Sequence, residues 1–222
     1  MITDSDVAKN ADAEPARVLA GCLAAVVAVT PAVFWVEVEE SFAIPKLVAL
    51  VAAAAVCAVA LVVVLTQPRS RGRLHPIDAI VGVLALLVAI SFLESIDRDL
   101  SLWGERLQRQ GLVPTLLYVA FYGFARIAIT DWQRLGLIVR SAAAGATFVA
   151  GYAVMQRLGL DPIWTTLPQG RVFSTIGQPN ALGAYLAMTI PLTIAASVLE
   201  RLPLHRRLWW VAAAVQLAAA FF

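Results

Sequence analysis

The stretch LVALVAAAAVCAVALVVVLT, residues 47–66, decides the fold class of this chain. Its 20 residues include no charged side chain. A helix of about 20 apolar residues crosses the roughly 30 Å of hydrocarbon in a bilayer. Lipid offers no hydrogen-bond partner to backbone N–H and C=O groups, so the chain must satisfy them within a helix. The stretch therefore predicts a transmembrane helix.

Apolar runs of similar length lie on both sides of this stretch. They cover residues 18–36, 77–93, 112–129, 135–155, 181–199 and 208–222. Across the chain, 60% of the 222 residues are hydrophobic and 14% are charged, whereas a soluble domain has about 45–50% and about 25%. We therefore predict an all-α fold, in which residues 17–222 form a polytopic membrane bundle of about seven helices.

The two ends of the chain differ from the other runs. Residues 1–16 carry four acidic side chains and lack the basic start of a secretory signal, so they predict a disordered cytoplasmic tail. The last run, 208–222, is 15 residues long, which is short for a span. We expect it to be an incomplete helix of a longer protein. The alternative is a complete protein with a short last helix.

The distribution of basic residues predicts the orientation in the membrane. Alternate connections hold 11 and 6 of the 17 Lys and Arg residues, and the richer side should be cytoplasmic. The N-terminus is then inside, and three connections face outward, at 37–46, 94–111 and 156–180. Because topology explains the arginines, the net charge of +2 implies no nucleic-acid partner. Neither the cysteines nor the histidines have a metal-site spacing, so no metal or cofactor is expected.

The first two outer connections carry candidate cations. Pro45 is expected to delay the next helix to about Lys46. The Lys46 ammonium either snorkels to the interface or faces an anionic lipid or substrate. Arg106 and Arg109 are three apart, so on a helical turn they would share a face and could clamp a diphosphate. Ion pairs with neighbouring acids are the alternative.

The third outer connection, 156–180, is the longest and surrounds Arg171 with turn residues. Gly170 and Gly177 permit close approach of the backbone. Asn180 ends the connection and is the residue that we expect to cap the following helix.

The stretch GRVFSTIGQPNALGAYL, residues 170–186, resembles a signature of the O-antigen ligase and O-antigen polymerase superfamily. In that family an arginine, a Thr-x-Gly-x-Pro-Asn turn and a helix with a Tyr-Leu pair open the shared domain. Two earlier segments are similar to the family's first and second outer loops: FAIPK at 42–46, and SLWG at 101–104 followed by RQG at 109–111. Together the three segments cover nearly the whole chain in the family's order.

The resemblance implies a membrane glycosyltransferase. Such enzymes move a glycan from undecaprenyl diphosphate to lipid A–core, to another glycan repeat or to a protein hydroxyl, on the outer face of the bacterial inner membrane. It implies that Arg171 is catalytic, because a guanidinium stabilises charge that grows on the leaving diphosphate. The side chains it implies in substrate binding are those of Lys46, Arg106, Arg109 and Asn180.

This chain departs from the family in one respect. The family's second arginine and the histidine expected to act as general base belong to a later outer loop, which cannot be found here. His75 and His205 both fall on the predicted cytoplasmic side, where we expect plain interfacial roles. We therefore expect these 222 residues to be inactive alone.

Two other classes of membrane protein remain as alternatives. A transporter or flippase of a lipid-linked or other envelope substrate would usually place ionisable groups near the middle of its spans, and the apolar runs carry none there. A structural scaffold is favoured only by packing signs such as the small residues Ser141 and Gly145 in the fifth run.

Overall fold

A computed structural model describes residues 4–37, 40–66, 75–105, 109–164 and 170–222. Every regular element within these ranges is helical, which confirms the all-α prediction. The helices are α1 Asp4–Val29, α2 Ala43–Leu65, α3 Pro76–Leu93, α4 Arg98–Trp103, α5 Leu112–Ala128, α6 Trp132–Arg157, α7 Pro179–Leu199 and α8 Pro203–Ala220. Short 3-10 turns occupy Thr30–Ala32 and Ser174–Ile176.

Four of these helices, α2, α3, α6 and α7, are long and apolar enough to cross a bilayer. Two further predicted spans coincide with shorter apolar helical segments, Ala16–Ala32 and Leu112–Ala128. Large apolar side chains such as Val59 and Met188 are 68% and 67% exposed, as expected of surfaces that face lipid. The chain is therefore a helical membrane protein, and four of the spans are supported by length and composition.

Two helices begin earlier than the sequence predicts. α1 is helical from Asp4 onward, within the segment that the sequence predicts to be disordered, and it continues through Pro15 into the first apolar run. α2 begins at Ala43 rather than near Lys46. Pro45 falls in its first turn, where the N–H that proline lacks would have had no partner within the helix.

The chain folds as two compact units, one made of residues up to Leu23 with Leu47–Thr130, the other of Ala24–Lys46 with Asp131–Phe222. In the first unit, α3 packs against α4 and α5. The Asp78 carboxylate joins α3 to α5, since it accepts hydrogen bonds from Arg126 Nε at 2.9 Å and from the Tyr122 hydroxyl at 2.6 Å. His75 caps α3 through Nδ1, which accepts a bond from the Ile77 N–H at 3.3 Å.

In the second unit, α6, α7 and α8 pack against one another. Gln216 of α8 is fully buried between them. Its Nε2 donates to Thr193 Oγ1 at 2.9 Å and to Thr147 Oγ1 at 3.0 Å. A polar side chain that forms such hydrogen bonds between helices contributes to helix association inside a membrane. On α6, Gly145 permits close contact with the end of α1, because a Cβ there would lie 2.5 Å from the Ala28 carbonyl oxygen.

Candidate functional site

The candidate site lies in the second unit, where residues 30–37 and 40–46 pack against the segments 156–164 and 170–180. Aromatic rings hold these segments together. The Phe42 ring stacks on Trp164 with 5.9 Å between centroids and meets the Phe173 ring edge-on at 5.8 Å. Gly177, at a φ of 94°, makes room for Phe42, because a Cβ at this position would lie 2.4 Å from Phe42 Cγ. The described parts of the first and third predicted outer connections are therefore packed together.

Lys46 links these two connections through a hydrogen bond. Its Nζ donates to the Thr175 carbonyl oxygen at 2.5 Å and lies 5.3 Å from the centre of the Phe42 ring. The Thr175 hydroxyl in turn donates to the Pro31 carbonyl oxygen at 2.9 Å. An ammonium has three N–H donors, and the bond to Thr175 uses one of them. Lys46 therefore joins the described parts of the two connections.

Arg171 lies exposed beside the start of α7. Its Nη1 donates a long hydrogen bond of 3.4 Å to Asn180 Oδ1. Within the described ranges, no carboxylate forms a salt bridge with Arg171. Among the residues that the structure describes, the guanidinium therefore presents a positive charge that no acidic side chain neutralises.

Asn180 is not the helix cap that the sequence predicts. Gln178 occupies the N-cap position of α7 without a side-chain capping bond, and Pro179 is the first helical residue. Proline suits that place because its φ is already helical and its missing N–H costs nothing there. Asn180 is thus inside the first turn, where its amide oxygen meets Arg171.

Gln156, in the last turn of α6, is a residue of the site that the sequence pattern does not single out, because it lies at the boundary of a predicted loop. It is 2% exposed. Its Oε1 accepts from the N–H groups of Phe173 at 3.3 Å and Ser174 at 2.7 Å, and its Nε2 donates to Asp161 Oδ2 at 2.9 Å. An uncharged polar residue at the end of a long apolar run was the available signal.

Asp161, the acceptor of the Gln156 amide, also accepts hydrogen bonds from residues on both sides of it in the sequence. Its Oδ1 accepts from the Tyr152 hydroxyl at 2.9 Å and from the N–H groups of Ile163 at 2.8 Å and Trp164 at 3.1 Å. Burial raises the pKa of Asp161, but these hydrogen bonds outweigh it and hold the pKa below its ordinary value. An ion pair between Asp161 and Arg171, the simplest structural explanation of the arginine, is not formed.

The second of the connections predicted to face outward belongs to the first unit. Arg106 lies outside the described residues. Arg109 has a φ of 48°, which is not helical, so the helical turn expected to align the two arginines does not continue through Arg109. Nearby, a cavity of about 230 Å³ has hydroxyl groups of Ser91, Ser101 and Thr115 in its lining.

The fold and the site define a class: a helical membrane protein with an exposed arginine beside the start of an apolar helix, where no acid of the described ranges pairs with it. No protein-family model, curated protein or solved structure matches the chain. Among the residues that the structure describes, no three His, Cys, Asp or Glu side chains are grouped as metal ligands would be.

Proposed function

We propose that the chain is part of a membrane glycosyltransferase of the O-antigen ligase or polymerase type. In this proposal it moves a glycan from undecaprenyl diphosphate to lipid A–core, a glycan repeat or a protein hydroxyl at the outer face of the bacterial inner membrane. The observation that carries the proposal is the exposed guanidinium of Arg171, unneutralised within the described ranges, beside the uncapped first turn of α7. The resemblance of residues 170–186 to the family signature supports the same reading.

The chemistry of a lipid diphosphate donor matches these groups. During transfer the acceptor hydroxyl oxygen bonds to the anomeric carbon and its proton leaves to a base. The bond from that carbon to the diphosphate oxygen breaks, so negative charge grows on the diphosphate. A guanidinium offers paired hydrogen bonds to phosphate oxygens, and free N–H groups at a helix start attract anions. The Lys46 ammonium, bonded to the same segment at Thr175, adds a second positive charge.

A transfer assay tests this function. We expect the full-length protein in proteoliposomes to release undecaprenyl diphosphate from a glycan-loaded donor when an acceptor is present. Protein-free liposomes are the control. Movement of the intact lipid-linked glycan between leaflets, with no bond cleaved, would instead favour the transporter or flippase alternative.

The proposed topology has about seven spans and a cytoplasmic N-terminus, with residues 156–180 outside. Leu160 and Gln133 test it because both are exposed: Gln133 lies in the first turn of α6, and Leu160 lies three residues beyond its last residue, Arg157. In a chain carrying Cys22→Ala and Cys57→Ala, a membrane-impermeant maleimide should label Leu160→Cys in intact cells. Gln133→Cys should react only after the membrane is opened. The reverse pattern would contradict the orientation.

A further inference from the structure

Ser174 adopts a backbone conformation that is uncommon for serine. Its φ is 51°, in the left-handed region, and the residue is fully buried. Non-glycine residues disfavour this region, so surrounding contacts must hold it. Those contacts come from α6: Gln156 Oε1 accepts from the Ser174 N–H at 2.7 Å, and the Ser174 hydroxyl donates to the Val149 carbonyl oxygen at 2.6 Å.

The same contacts restrict the backbone that directly follows Arg171. Val172 and Phe173 follow the arginine and are only 2% and 5% exposed. Gln156 also accepts from the Phe173 N–H at 3.3 Å. The chain that follows Arg171 therefore enters the protein interior at once, and the buried Gln156 amide is one of the groups that hold it there.

The orientation of that amide is itself determined by its neighbours. Nε2 faces the Asp161 carboxylate at 2.9 Å, while Oε1 faces two backbone donors. Reversing the amide would set its NH₂ against two N–H groups and its oxygen against a carboxylate. Asp161 thus keeps the acceptor of Gln156 directed at residues 173 and 174.

We propose that Gln156 is a positioning residue for Arg171: its buried amide holds the 172–174 backbone so that the guanidinium is preset at the start of α7. The reactive role of Arg171 rests on the proposed function, whereas the positioning is a property of the fold. Gln156 acts through Arg171 and does not touch the reacting groups.

Turnover of the full-length protein tests the consequence for the reaction. Gln156→Met removes the amide at similar length, and we expect kcat to fall about a hundred-fold, the loss typical of displacing a catalytic group by 1 Å. KM for the donor should change little, because Arg171 acts on charge that develops in the transition state. Gln216→Met is the matched control, since it removes another buried glutamine of the same unit, whose hydrogen-bond partners in the described ranges are Ala143, Thr147 and Thr193.

A labelling experiment tests the positioning without any assay of activity. Val172→Cys, in a chain with Cys22→Ala and Cys57→Ala, places a thiol at a buried position. Gln156→Met should expose this thiol to a water-soluble maleimide, whereas Gln216→Met should leave it protected. Gln156→Asn keeps an amide but shortens its reach, and serves if Gln156→Met fails to insert.

The two experiments separate the two proposals. If the wild-type protein transfers no glycan but labelling responds as expected, the proposed function fails and the positioning stands. A thiol that stays protected in both Gln156 variants overturns the positioning. An equal loss of kcat in Gln216→Met also overturns it, because the effect would then reflect general destabilisation.

Discussion

Replacing Arg171 by alanine in the full-length protein should lower turnover about a hundred- to a thousand-fold, a loss of about 2.7–4 kcal/mol that is typical of one preorganised donor to a developing oxyanion. The effect is large because the guanidinium meets charge that grows as the sugar–diphosphate bond breaks. The initial rate of undecaprenyl diphosphate release in proteoliposomes measures it. Expression and insertion should be normal, since the side chain is exposed and packs in no core.

Arg171→Lys should recover only part of this rate, because an ammonium cannot form the two-pronged contact with phosphate oxygens. Arg157→Ala is a suitable control. Arg157 is an exposed arginine of the same unit, at the end of α6. Its guanidinium lies 5.8 Å from the centre of the Phe222 ring. Full activity in Arg171→Ala, or an equal loss in Arg157→Ala, would refute the diphosphate role.

The helices were the predictable part of the structure. A helix that faces lipid is specified by its own apolar residues, because the membrane supplies the surroundings. The run 77–93 matches α3 Pro76–Leu93, and 181–199 matches α7 Pro179–Leu199. Two of the errors fall at helix starts that contain a proline, α2 and α7. Pro179 takes the first helical position and so displaces Asn180 from the cap.

The site was less predictable because its contacts join distant parts of the chain. The bond from Lys46 to Thr175 spans 129 positions, and that from Ser174 to Gln156 spans 18. A single sequence shows residue types but not their contact partners. Arg171 could therefore be predicted as a candidate cation, whereas the role of the Gln156 amide could not. The left-handed backbone conformation of Ser174 could not be predicted either, because serine rarely adopts it.

Replacing Asp161 by alanine should lower the stability of the second unit by about 2–3 kcal/mol, since hydrogen bonds to a charged group contribute about 1.5–3 kcal/mol each and water can replace some of them at a partly exposed site. The substitution would leave four donors without their acceptor. The midpoint of thermal unfolding in detergent measures the loss. Asp97→Ala is a milder comparison, because Asp97 accepts a single capping bond, from the Leu100 N–H, and such caps contribute about 1 kcal/mol.

The pH dependence of this contribution follows from the lowered pKa of Asp161. Because the folded protein holds the carboxylate ionised more readily than the unfolded chain does, the stabilisation is fully present above the unfolded pKa of about 3.9. It is lost as the pH falls through the lower, folded pKa. The stability difference between wild type and Asp161→Ala should therefore be constant from neutral pH to about pH 4 and shrink below it.

Asp161→Asn separates the charge of this carboxylate from its geometry. An asparagine oxygen in the place of Oδ1 can still accept from Tyr152, Ile163 and Trp164, but its NH₂ would then face the Gln156 NH₂. Turning the Gln156 amide does not relieve this, because the amide oxygen is needed by residues 173 and 174. Asp161→Asn should therefore lose less stability than Asp161→Ala and no longer show the acid-dependent loss. If Asp161→Asn is as stable as wild type at neutral pH, the charge and its bond to Gln156 contribute nothing, and the segment is held by its aromatic contacts.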